Sequence, residues 1–297
     1  TRSCLARGLG DVYKRQTTTT TAAKNRVTGL TLTGRTQTNL TYKWNKVSGA
    51  TKYYIDITNK TKGTNFSKTV TSTSATLHNL TDTEVYAVRV RAYVKGKYGP
   101  YSAYNTKHCL PGKVSGAKVK SRSAASVALQ WSKKAGADGY YVYRYDTKSK
   151  KTTKVATIKG NKTTGTVSKL KANTAYTFQV AAYTTDSSTK TGAKSSKVST
   201  KTLTATPKLS SATSPKSKKI TIKWSKVACS GYQVQYSTTK NFKQNFLDFT
   251  VKNSSTSKTF STYRTKTTYY VRMRSYRTEG KKKVYSAWSA TKSVKVK

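Results

Sequence analysis

Leu40-Thr-Tyr-Lys-Trp44 is a short run in which apolar and polar residues alternate and a tryptophan comes last. Two other segments have the same form, namely Val127-Ala-Leu-Gln-Trp131 and Ile220-Thr-Ile-Lys-Trp224. The three tryptophans are spaced by 87 and 93 residues. Self-similarity at a nearly fixed period is the signature of repeated structural units. The pattern therefore predicts three copies of one unit.

A second mark follows each tryptophan at a nearly constant distance. It is an alternating segment that begins and ends with tyrosine, seen as Tyr86–Tyr93, Tyr176–Tyr183 and Tyr269–Tyr276. Its first tyrosine lies 42, 45 and 45 residues after the corresponding tryptophan. Composition alone would not produce this register three times, so the segments support the same three repeats.

The alternation inside these segments indicates β-strands. Every second residue of the first segment belongs to an apolar set, which is Tyr86, Val88, Val90 and Ala92. The opposite set carries Arg89 and Arg91, as expected for an antiparallel strand with one buried face. The chain is also rich in strand-favouring tyrosine, with 22 against a single methionine. We predict an all-β protein of three tandem antiparallel β-sandwiches.

Two further patterns point to a family. Leucine precedes tyrosine by six residues in Leu80…Tyr86 and Leu170…Tyr176, and prolines 111 and 207 stand where units would begin. With the strand tryptophan, these marks resemble the fibronectin type III domain, an immunoglobulin-like sandwich. The resemblance implies a tyrosine corner, in which the tyrosine hydroxyl bonds back to the chain. Repeat 3 departs from it by placing Tyr263, not leucine, six residues before Tyr269.

The resemblance covers residues 25 to 297 and gives the expected domain limits. We place repeat 1 at 25–110, repeat 2 at 111–204 and repeat 3 at 205–297. Residues 1–24 are interpreted as a leader and linker. Thr1 to Gln16 looks like a translated cloning or adaptor sequence, and Thr17–Thr21 reads as a flexible linker. On this interpretation, a secretion signal and an anchor are expected to lie outside this fragment.

The charge of the chain is extreme. There are 58 Lys and Arg residues against 9 Asp and Glu, a formal net charge of +49. Such a chain is attracted to any polyanion, and the sign does not say which one. Lysine greatly outnumbers arginine and is spread through every segment. Two interpretations remain open: a solvated basic surface that resists aggregation, or a dedicated binding stripe.

Residues that carry catalysis or bind metals are scarce. The cysteines, Cys4, Cys109 and Cys229, form no CxxC pair, and His78 and His108 are the only histidines. Nine carboxylates spread over three domains give a hydrolase little to use. No phosphate-binding loop, nucleophile elbow or zinc-protease motif is present in the sequence. We therefore predict a protein that is not an enzyme, with no catalytic, cofactor or metal site.

Arginines and aromatic residues occur together in two of the repeats. The strings Tyr101-Ser-Ala-Tyr104 and Tyr285-Ser-Ala-Trp288 resemble a degenerate WSxWS box of cytokine-receptor fibronectin domains. The outward positions of the neighbouring strand are Arg89 and Arg91 in repeat 1, and Arg272 and Arg274 in repeat 3. Repeat 2 has Gln179 and Ala181 there, and no aromatic residue in its last strand.

This correlation predicts stacked cation–π ladders in repeats 1 and 3 and none in repeat 2. The candidate site residues are Arg89, Arg91, Tyr101, Tyr104, Arg272, Arg274, Tyr285 and Trp288. Two roles remain open for them. The ladders are either structural or form a surface that grips a sugar ring or a nucleobase.

The sequence favours a non-catalytic extracellular spacer or adhesion module of a bacterial surface or secreted protein. Its expected partner is an anionic cell-wall polymer or a glycan. One alternative is nonspecific polyanion binding, including nucleic acid, although specific nucleic-acid recognition is not expected from diffuse lysine. Another is an accessory segment of a larger secreted enzyme that acts on carbohydrate or cell walls. No transmembrane segment is expected, and the oligomeric state stays open.

Overall fold

A computed structural model of the chain describes residues 24–297. Strands are the only regular elements in this range, and no helix there is long and apolar enough to cross a membrane. The expected adaptor sequence, Thr1 to Gln16, and the threonine linker lie outside the described residues. Among the residues described, the all-β prediction is confirmed.

The chain divides into two compact units. The first runs to Leu110, includes Asp186–Ser188 and holds repeat 1. The second comprises Pro111–Thr185 and Thr189–Lys297 and holds repeats 2 and 3. Each repeat is a sandwich of a three-stranded and a five-stranded antiparallel sheet.

Repeat 1 contains eight strands in two sheets. One sheet has the order β1-β2-β5, and the other has β4-β3-β6-β7 with β8 also paired to β6. The strands are β1 (Thr31–Arg35), β2 (Leu40–Lys43), β3 (Ala50–Asn59), β4 (Thr64–Val70), β5 (Ser74–Leu77), β6 (Val85–Val94), β7 (Lys97–Tyr98) and β8 (Asn105–His108).

Repeat 2 has the same plan, with the sheets β13-β10-β9 and β12-β11-β14-β15 and with β16 on β14. Its strands are β9 (Lys118–Arg122), β10 (Val127–Gln130), β11 (Gly139–Tyr145), β12 (Thr152–Lys159), β13 (Thr164–Val167), β14 (Ala175–Thr185), β15 (Thr189–Thr191) and β16 (Val198–Lys201).

Repeat 3 repeats the arrangement once more, with β17-β18-β21 and β20-β19-β22-β23 and with β24 on β22. Its strands are β17 (Leu209–Thr213), β18 (Lys219–Trp224), β19 (Gly231–Ser237), β20 (Phe246–Lys252), β21 (Ser257–Ser261), β22 (Thr268–Glu279), β23 (Lys282–Tyr285) and β24 (Lys292–Lys295).

The predicted tryptophans lie in the three cores. Trp44, Trp131 and Trp224 are at most 5% exposed, as their position at the end of an alternating strand predicts. Each packs against a buried tyrosine of the next strand, with ring centroids 5.5 Å apart for Trp44 and Tyr53. Trp131 and Trp224 make the same contact with their own tyrosines. One aromatic pair therefore bridges the two sheets in every repeat.

The alternating tyrosine segments form the longest strands and turn their apolar faces inward. In β6, Val88, Val90 and Ala92 are fully buried, which confirms the face assigned from the sequence. Tyr86 and Tyr269 are also buried, and Tyr176 of repeat 2 is half-buried and packs against the core of that repeat. Phe178, two residues further along β14, is fully buried there.

The tyrosine corner is present in all three repeats. The hydroxyl of Tyr86 accepts a hydrogen bond from the Thr81 backbone N–H at 2.9 Å. Tyr176 and Tyr269 accept from the backbone N–H groups five residues before them, at 2.9 and 3.3 Å. Tyr263, the residue that departs from the leucine pattern, is 76% exposed. Repeat 3 therefore keeps the hydrogen bond of the corner without the apolar packing beneath it.

The two cysteines of the described chain are free thiols in different surroundings. Cys109 is fully buried in the core of repeat 1, and Cys229 of repeat 3 is partly buried. Burial raises the pKa of the Cys109 thiol to about 12. Within residues 24–297, neither thiol forms a disulfide.

Within the second unit, a buried arginine joins repeats 2 and 3. Arg277 at the end of β22 is 5% exposed. Its guanidinium donates to the backbone carbonyls of Thr202 and Lys201 in repeat 2 and to the Glu279 carboxylate. Arg122 of repeat 2 donates to the other Glu279 oxygen at 3.1 Å and to the Lys201 carbonyl at 3.2 Å. The two repeats therefore share one charged hydrogen-bond network.

Candidate functional site

The arginines of repeat 1 lie between aromatic rings on the outer face of the five-stranded sheet. The guanidinium carbon of Arg89 is 4.0 Å from the Tyr101 ring centroid and 4.8 Å from that of Tyr104. Arg91 is 4.7 Å from the Tyr101 ring and 4.2 Å from the Tyr98 ring. Tyr101 thus stands between the two arginines. All four candidate residues of this repeat belong to one stack.

A carboxylate holds the first of these arginines in place. Asp56 lies opposite Arg89 on the neighbouring strand β3, and Arg89 Nε donates to its carboxylate at 2.7 Å. This hydrogen bond, with the charge of Asp56, raises the pKa of Arg89 above its ordinary value. Asp56 therefore fixes the orientation of the Arg89 guanidinium plane without the help of a ligand.

Repeat 3 builds the same stack with different neighbours. Arg272 is 4.4 Å and Arg274 is 4.2 Å from the Trp288 ring, and Arg274 is also 3.8 Å from the Tyr285 ring. The ring centroid of Phe242, a buried residue in the loop before β20, lies 4.1 Å from the guanidinium carbon of Arg272. The four candidate residues of this repeat again belong to one stack, with Phe242 as a fifth member.

Glutamines take the place of the carboxylate in repeat 3. Arg272 Nε donates to Gln235 Oε1 and Arg274 Nε donates to Gln233 Oε1, both at 2.8 Å. Partial burial lowers the pKa of each arginine, and the neighbouring Arg274 lowers that of Arg272 further. Both guanidinium groups are therefore half-buried cations with neutral side-chain partners.

A buried serine presents the aromatic side chains to the arginines. Ser102 in the string after β7 donates its backbone N–H to the Val90 carbonyl at 2.8 Å, and its hydroxyl accepts from the Val90 N–H at 3.0 Å. Ser289 makes the same two bonds with Met273 in repeat 3. The serine fixes the string against the strand, so the residues beside it point outward.

Repeat 2 carries the same serine, although its string has no aromatic residue. Ser195 bonds to both backbone groups of Val180 in the same way. Among the described residues, repeat 2 has no arginine stack, in line with the prediction, but it has lysine–tyrosine contacts that the sequence did not suggest. These contacts are built from lysines and from tyrosines of β11, with lysine Nζ-to-ring distances of 4.3 Å (Lys154 to Tyr141), 5.0 Å (Lys194 to Tyr143) and 3.6 Å (Lys197 to Tyr145). We name these six residues the Lys–Tyr row.

The small residues of β14 explain how this row forms. Where repeats 1 and 3 have two arginines, repeat 2 has Gln179 and the buried Ala181. Gln179 uses its amide to donate to the Ser195 carbonyl at 2.9 Å. Lys194 and Lys197, in the segment before β16, can therefore extend across β14 to the tyrosine rings of β11, whereas Lys154 reaches Tyr141 from the neighbouring strand β12. The alternation of Tyr141, Tyr143 and Tyr145 was visible in the sequence and was the available signal.

The carboxylates of the described chain serve the fold. Most have hydrogen-bond or ion-pair partners within their own unit, among them Asp56, Glu84, Asp138, Asp146, Asp186, Asp248 and Glu279. Glu84 is representative, because it accepts from Asn59 and Tyr86 and pairs with Lys62. Among residues 24–297, no group of three or more His, Cys, Asp and Glu side chains is placed to hold a metal ion.

The sandwich order, the core tryptophans and the tyrosine corner can now be compared with known proteins. The sequence profile of the fibronectin type III domain matches residues 25–107 and 112–198. The chain belongs to the fibronectin type III family. Repeat 3 lies beyond the matched residues and has the same two-sheet arrangement, so the protein has three tandem fibronectin type III sandwiches. Domains of this family are typically non-catalytic extracellular modules with spacer or adhesion roles.

Solved structures of tandem fibronectin type III domains are similar to this chain. The three domains FN1–FN3 of chicken CNTN1 share 17% identity with it, cover 91% of this chain and 98% of their own, and give a TM-score of 0.34. A two-domain segment of chicken tenascin shares 17% identity, covers 59% of this chain and 97% of its own, and gives a TM-score of 0.37. No curated protein sequence matches the chain significantly.

The arginine stack of repeat 3 is expected to contribute measurably to the free energy of unfolding of that repeat. We expect Arg272→Ala to lower the free energy of unfolding of repeat 3 by about 2 kcal/mol, since it removes two ring contacts and leaves Gln235 without its donor. Amide hydrogen exchange in β19 and β22 measures this change. Arg264→Ala, which alters an exposed arginine of the same repeat, is the matched control. Equal protection in the two variants would contradict a structural role for the stack.

Gln179 of repeat 2 also contributes to stability. Its side-chain amide donates to the Ser195 carbonyl in the segment before β16, so Gln179→Ala is expected to lower the free energy of unfolding of repeat 2 by about 1 kcal/mol.

Proposed function

We propose that this chain is a non-catalytic spacer and adhesion segment of a secreted or surface-attached bacterial protein, and that it adheres to anionic cell-wall polymers or glycans. The rigid sandwiches set the distance between whatever they connect. The basic surface supplies the attraction to a polyanion. In this proposal the ligand is recognised mainly through its charge.

The observation that carries the proposal is the imbalance between free cations and engaged carboxylates. Against 58 basic residues there are 9 acidic ones, and the acids of the described chain are largely taken up by hydrogen bonds inside the fold. Most lysines are exposed, including Lys118, Lys120 and Lys162 of repeat 2. Their charge is not compensated locally, so it supports attraction to an external polyanion.

The arginine stacks support the spacer part of the proposal. Arg89, Arg272 and Arg274 have ring and hydrogen-bond partners within their own repeat, and so they need no ligand to explain their positions. We therefore assign the eight candidate residues a mainly structural role. Retention of adhesion after Arg274→Ala would support that assignment.

Salt dependence tests the adhesion part of the proposal. We expect the chain to bind poly(glycerol phosphate), heparin and DNA but not neutral dextran, with affinity falling steeply as salt rises because bound counterions are released. Binding to immobilised polymers across a salt series measures this. Equal binding to dextran would contradict the proposal. Binding to DNA alone would favour nucleic acid as the partner instead.

An accessory role in a larger secreted enzyme predicts a different result. A segment that directs an enzyme to neutral polysaccharide would bind uncharged cell-wall glycan even at high salt. The dextran and high-salt measurements therefore separate the two roles.

A further inference from the structure

Repeat 3 exposes a group of apolar side chains that lies outside its arginine stack. Phe246 and Leu247 at the start of β20 are 44% and 42% exposed, and Tyr263 in the loop before β22 is 76% exposed. With Tyr236 and Tyr269 they line one pocket of about 380 Å³, which we name the Tyr263 pocket. Single exposed apolar residues need no explanation, but several that converge on a pocket of ligand size indicate a binding site.

Two tyrosines of the pocket replace core residues of the other repeats. Tyr263 stands six residues before the corner tyrosine, where repeats 1 and 2 have Leu80 and Leu170. Leu80 is buried in the core of repeat 1. Tyr236 of β19 pairs with the residue two positions after the corner tyrosine, as the fully buried Ile57 does in repeat 1. Repeat 3 therefore carries rings and hydroxyls at two positions where repeat 1 carries only buried alkyl groups.

Tyr236 holds its hydroxyl in a fixed place. The residue is 9% exposed, and its ring packs against Phe260 and Phe249 with centroids 4.8 and 6.2 Å away. Within the described chain the hydroxyl forms no hydrogen bond. Burial, and then the neighbouring Tyr263 and Tyr269, raise the pKa of Tyr236, so the hydroxyl stays protonated and can donate. A ligand that fills the pocket shuts water away from this hydroxyl and must therefore offer it a polar partner.

The lining suits a pyranose ring better than an apolar peptide side chain or a nucleobase. A pyranose has C–H groups that can pack on aromatic rings, and hydroxyls at its edge that meet polar groups such as Asn245 and Thr238 of the lining. A leucine side chain would cover the Tyr236 hydroxyl without satisfying it. The Tyr236 and Tyr269 rings are inclined at 46°, with centroids 6.1 Å apart, so they form no flat slot for a planar base.

Arg264 gives the pocket a positive charge. It follows Tyr263 in the chain, lines the pocket and is exposed. Among residues 24–297 its side chain forms no ion pair, and no acidic side chain lines the pocket. A guanidinium binds a carboxylate through two parallel hydrogen bonds, which a neutral sugar does not offer. The charge therefore favours a sugar that carries a carboxylate.

We propose that the Tyr263 pocket binds one uronic acid ring of an acidic glycan. The aromatic side chains pack on the sugar, the Tyr236 hydroxyl donates to a sugar oxygen and Arg264 pairs with the carboxylate. The proposal rests on the proposed adhesion to glycans, and it names the sugar and the site. The exposed lysines of the chain then supply attraction to a polyanion, and repeat 3 supplies selectivity for the sugar.

Three substitutions in the full chain test the site. Tyr263→Ala removes the exposed ring, Tyr236→Phe removes only the hydroxyl, and Arg264→Ala removes the charge. Phe66→Ala and Arg144→Ala, which alter exposed residues of repeats 1 and 2, are the matched controls. Methyl β-D-glucuronide, methyl β-D-glucoside, thymidine and N-acetyl-leucinamide are titrated into each protein, and NMR shifts of the aromatic ring signals measure binding. The backbone amide spectrum shows that repeat 3 of each variant is folded.

We expect the wild type to bind the glucuronide about tenfold more tightly than the glucoside, with shifts at the rings of the Tyr263 pocket. Tyr263→Ala and Tyr236→Phe should each weaken glucuronide binding about fivefold or more. Arg264→Ala should abolish the preference for the glucuronide over the glucoside. The two control variants should bind as the wild type does.

Glucuronide binding that is absent in the wild type, or that survives both tyrosine substitutions unchanged, would overturn the site. Equal affinity of the wild type for the two glycosides would overturn the role of the carboxylate. Tighter binding of thymidine or N-acetyl-leucinamide than of the glucuronide would overturn the ligand class. Failure of the proposed function is recognised separately, because the wild type would then not bind poly(glycerol phosphate), a polyanion without sugar rings.

Discussion

Trp224→Ala is expected to lower the free energy of unfolding of repeat 3 by about 3–5 kcal/mol. The side chain is 4% exposed and packs on Tyr232 with ring centroids 5.5 Å apart. Its removal leaves a cavity between the two sheets that the surrounding strands cannot fill without repacking. A loss of this size is a large part of the stability of a small domain, so repeat 3 would be close to unfolded.

Native-state hydrogen exchange measures this loss for one repeat at a time, which a single melting curve of three domains does not. The amides of β18 and β22 should lose protection together. Tyr263→Ala is the matched control, because it removes an aromatic side chain that is 76% exposed in the same repeat. Similar exchange in both variants would show that the tryptophan is not the centre of the core.

Arg277→Ala is expected to separate repeats 2 and 3 into independently oriented domains. The guanidinium of Arg277 hydrogen-bonds the carbonyls of Lys201 and Thr202 to repeat 3, and its loss leaves the carbonyl of the buried Thr202 without this donor, while the Lys201 carbonyl keeps the bond from Arg122. We expect a cost of about 2–3 kcal/mol, below that of a fully buried pair because Glu279 is 39% exposed. Arg277→Lys should restore only part of it, since an ammonium lacks the planar fork.

Residual dipolar couplings measure the relative orientation of the two repeats. One alignment tensor should describe both repeats in the wild type, and two should be needed for Arg277→Ala. Arg264→Ala, an exposed arginine of repeat 3, should behave as the wild type. A shared tensor in Arg277→Ala would contradict the role of this network.

Acid should weaken the same junction. The hydrogen bond from Arg277, with that from Arg122, holds the pKa of Glu279 below its ordinary value. A carboxyl whose pKa is lowered by folding stabilises the folded state above its unfolded pKa, and this stability is lost as pH falls through the folded pKa. In the wild type, one alignment tensor should therefore describe both repeats near neutral pH, and separate tensors should be needed only when the pH falls below the ordinary pKa of a glutamate.

The strand pattern and the repeat were predictable because both depend on local alternation. Trp44 and Val88 are buried as period 2 requires, and Arg89 and Arg91 lie on the opposite face. The stack in repeat 3 was predictable for the same reason, since Arg272 and Arg274 share a face with an aromatic string beside them. The burial pattern and the stack both involve only neighbouring strands, and the turns between those strands fix the register in which they pair.

The contacts that the sequence did not predict depend on the paths of loops and on residues in strands that are not adjacent. Phe242 comes from a loop, and its approach to Arg272 is set by the path of that loop. Lys194 reaches Tyr143 across an intervening strand, which requires knowing that Gln179 and Ala181 leave room. The sequence does carry a mark of the contact that Arg277 makes with repeat 2. In β22, Arg277 continues the inward series of Met273 and Ser275, and a charge on that face needs a buried partner.

The buried thiol of Cys109 makes it possible to measure the opening of repeat 1 by thiol alkylation. Alkylating reagents attack the thiolate, and a pKa of about 12 together with complete burial leaves almost none of it accessible in the folded domain. Opening of repeat 1 returns the thiol to water and to its ordinary reactivity. With Cys4 and Cys229 replaced by serine, Cys109 is the one remaining thiol. The rate of alkylation then reports how often repeat 1 opens, and opening of repeats 2 and 3 does not contribute to it.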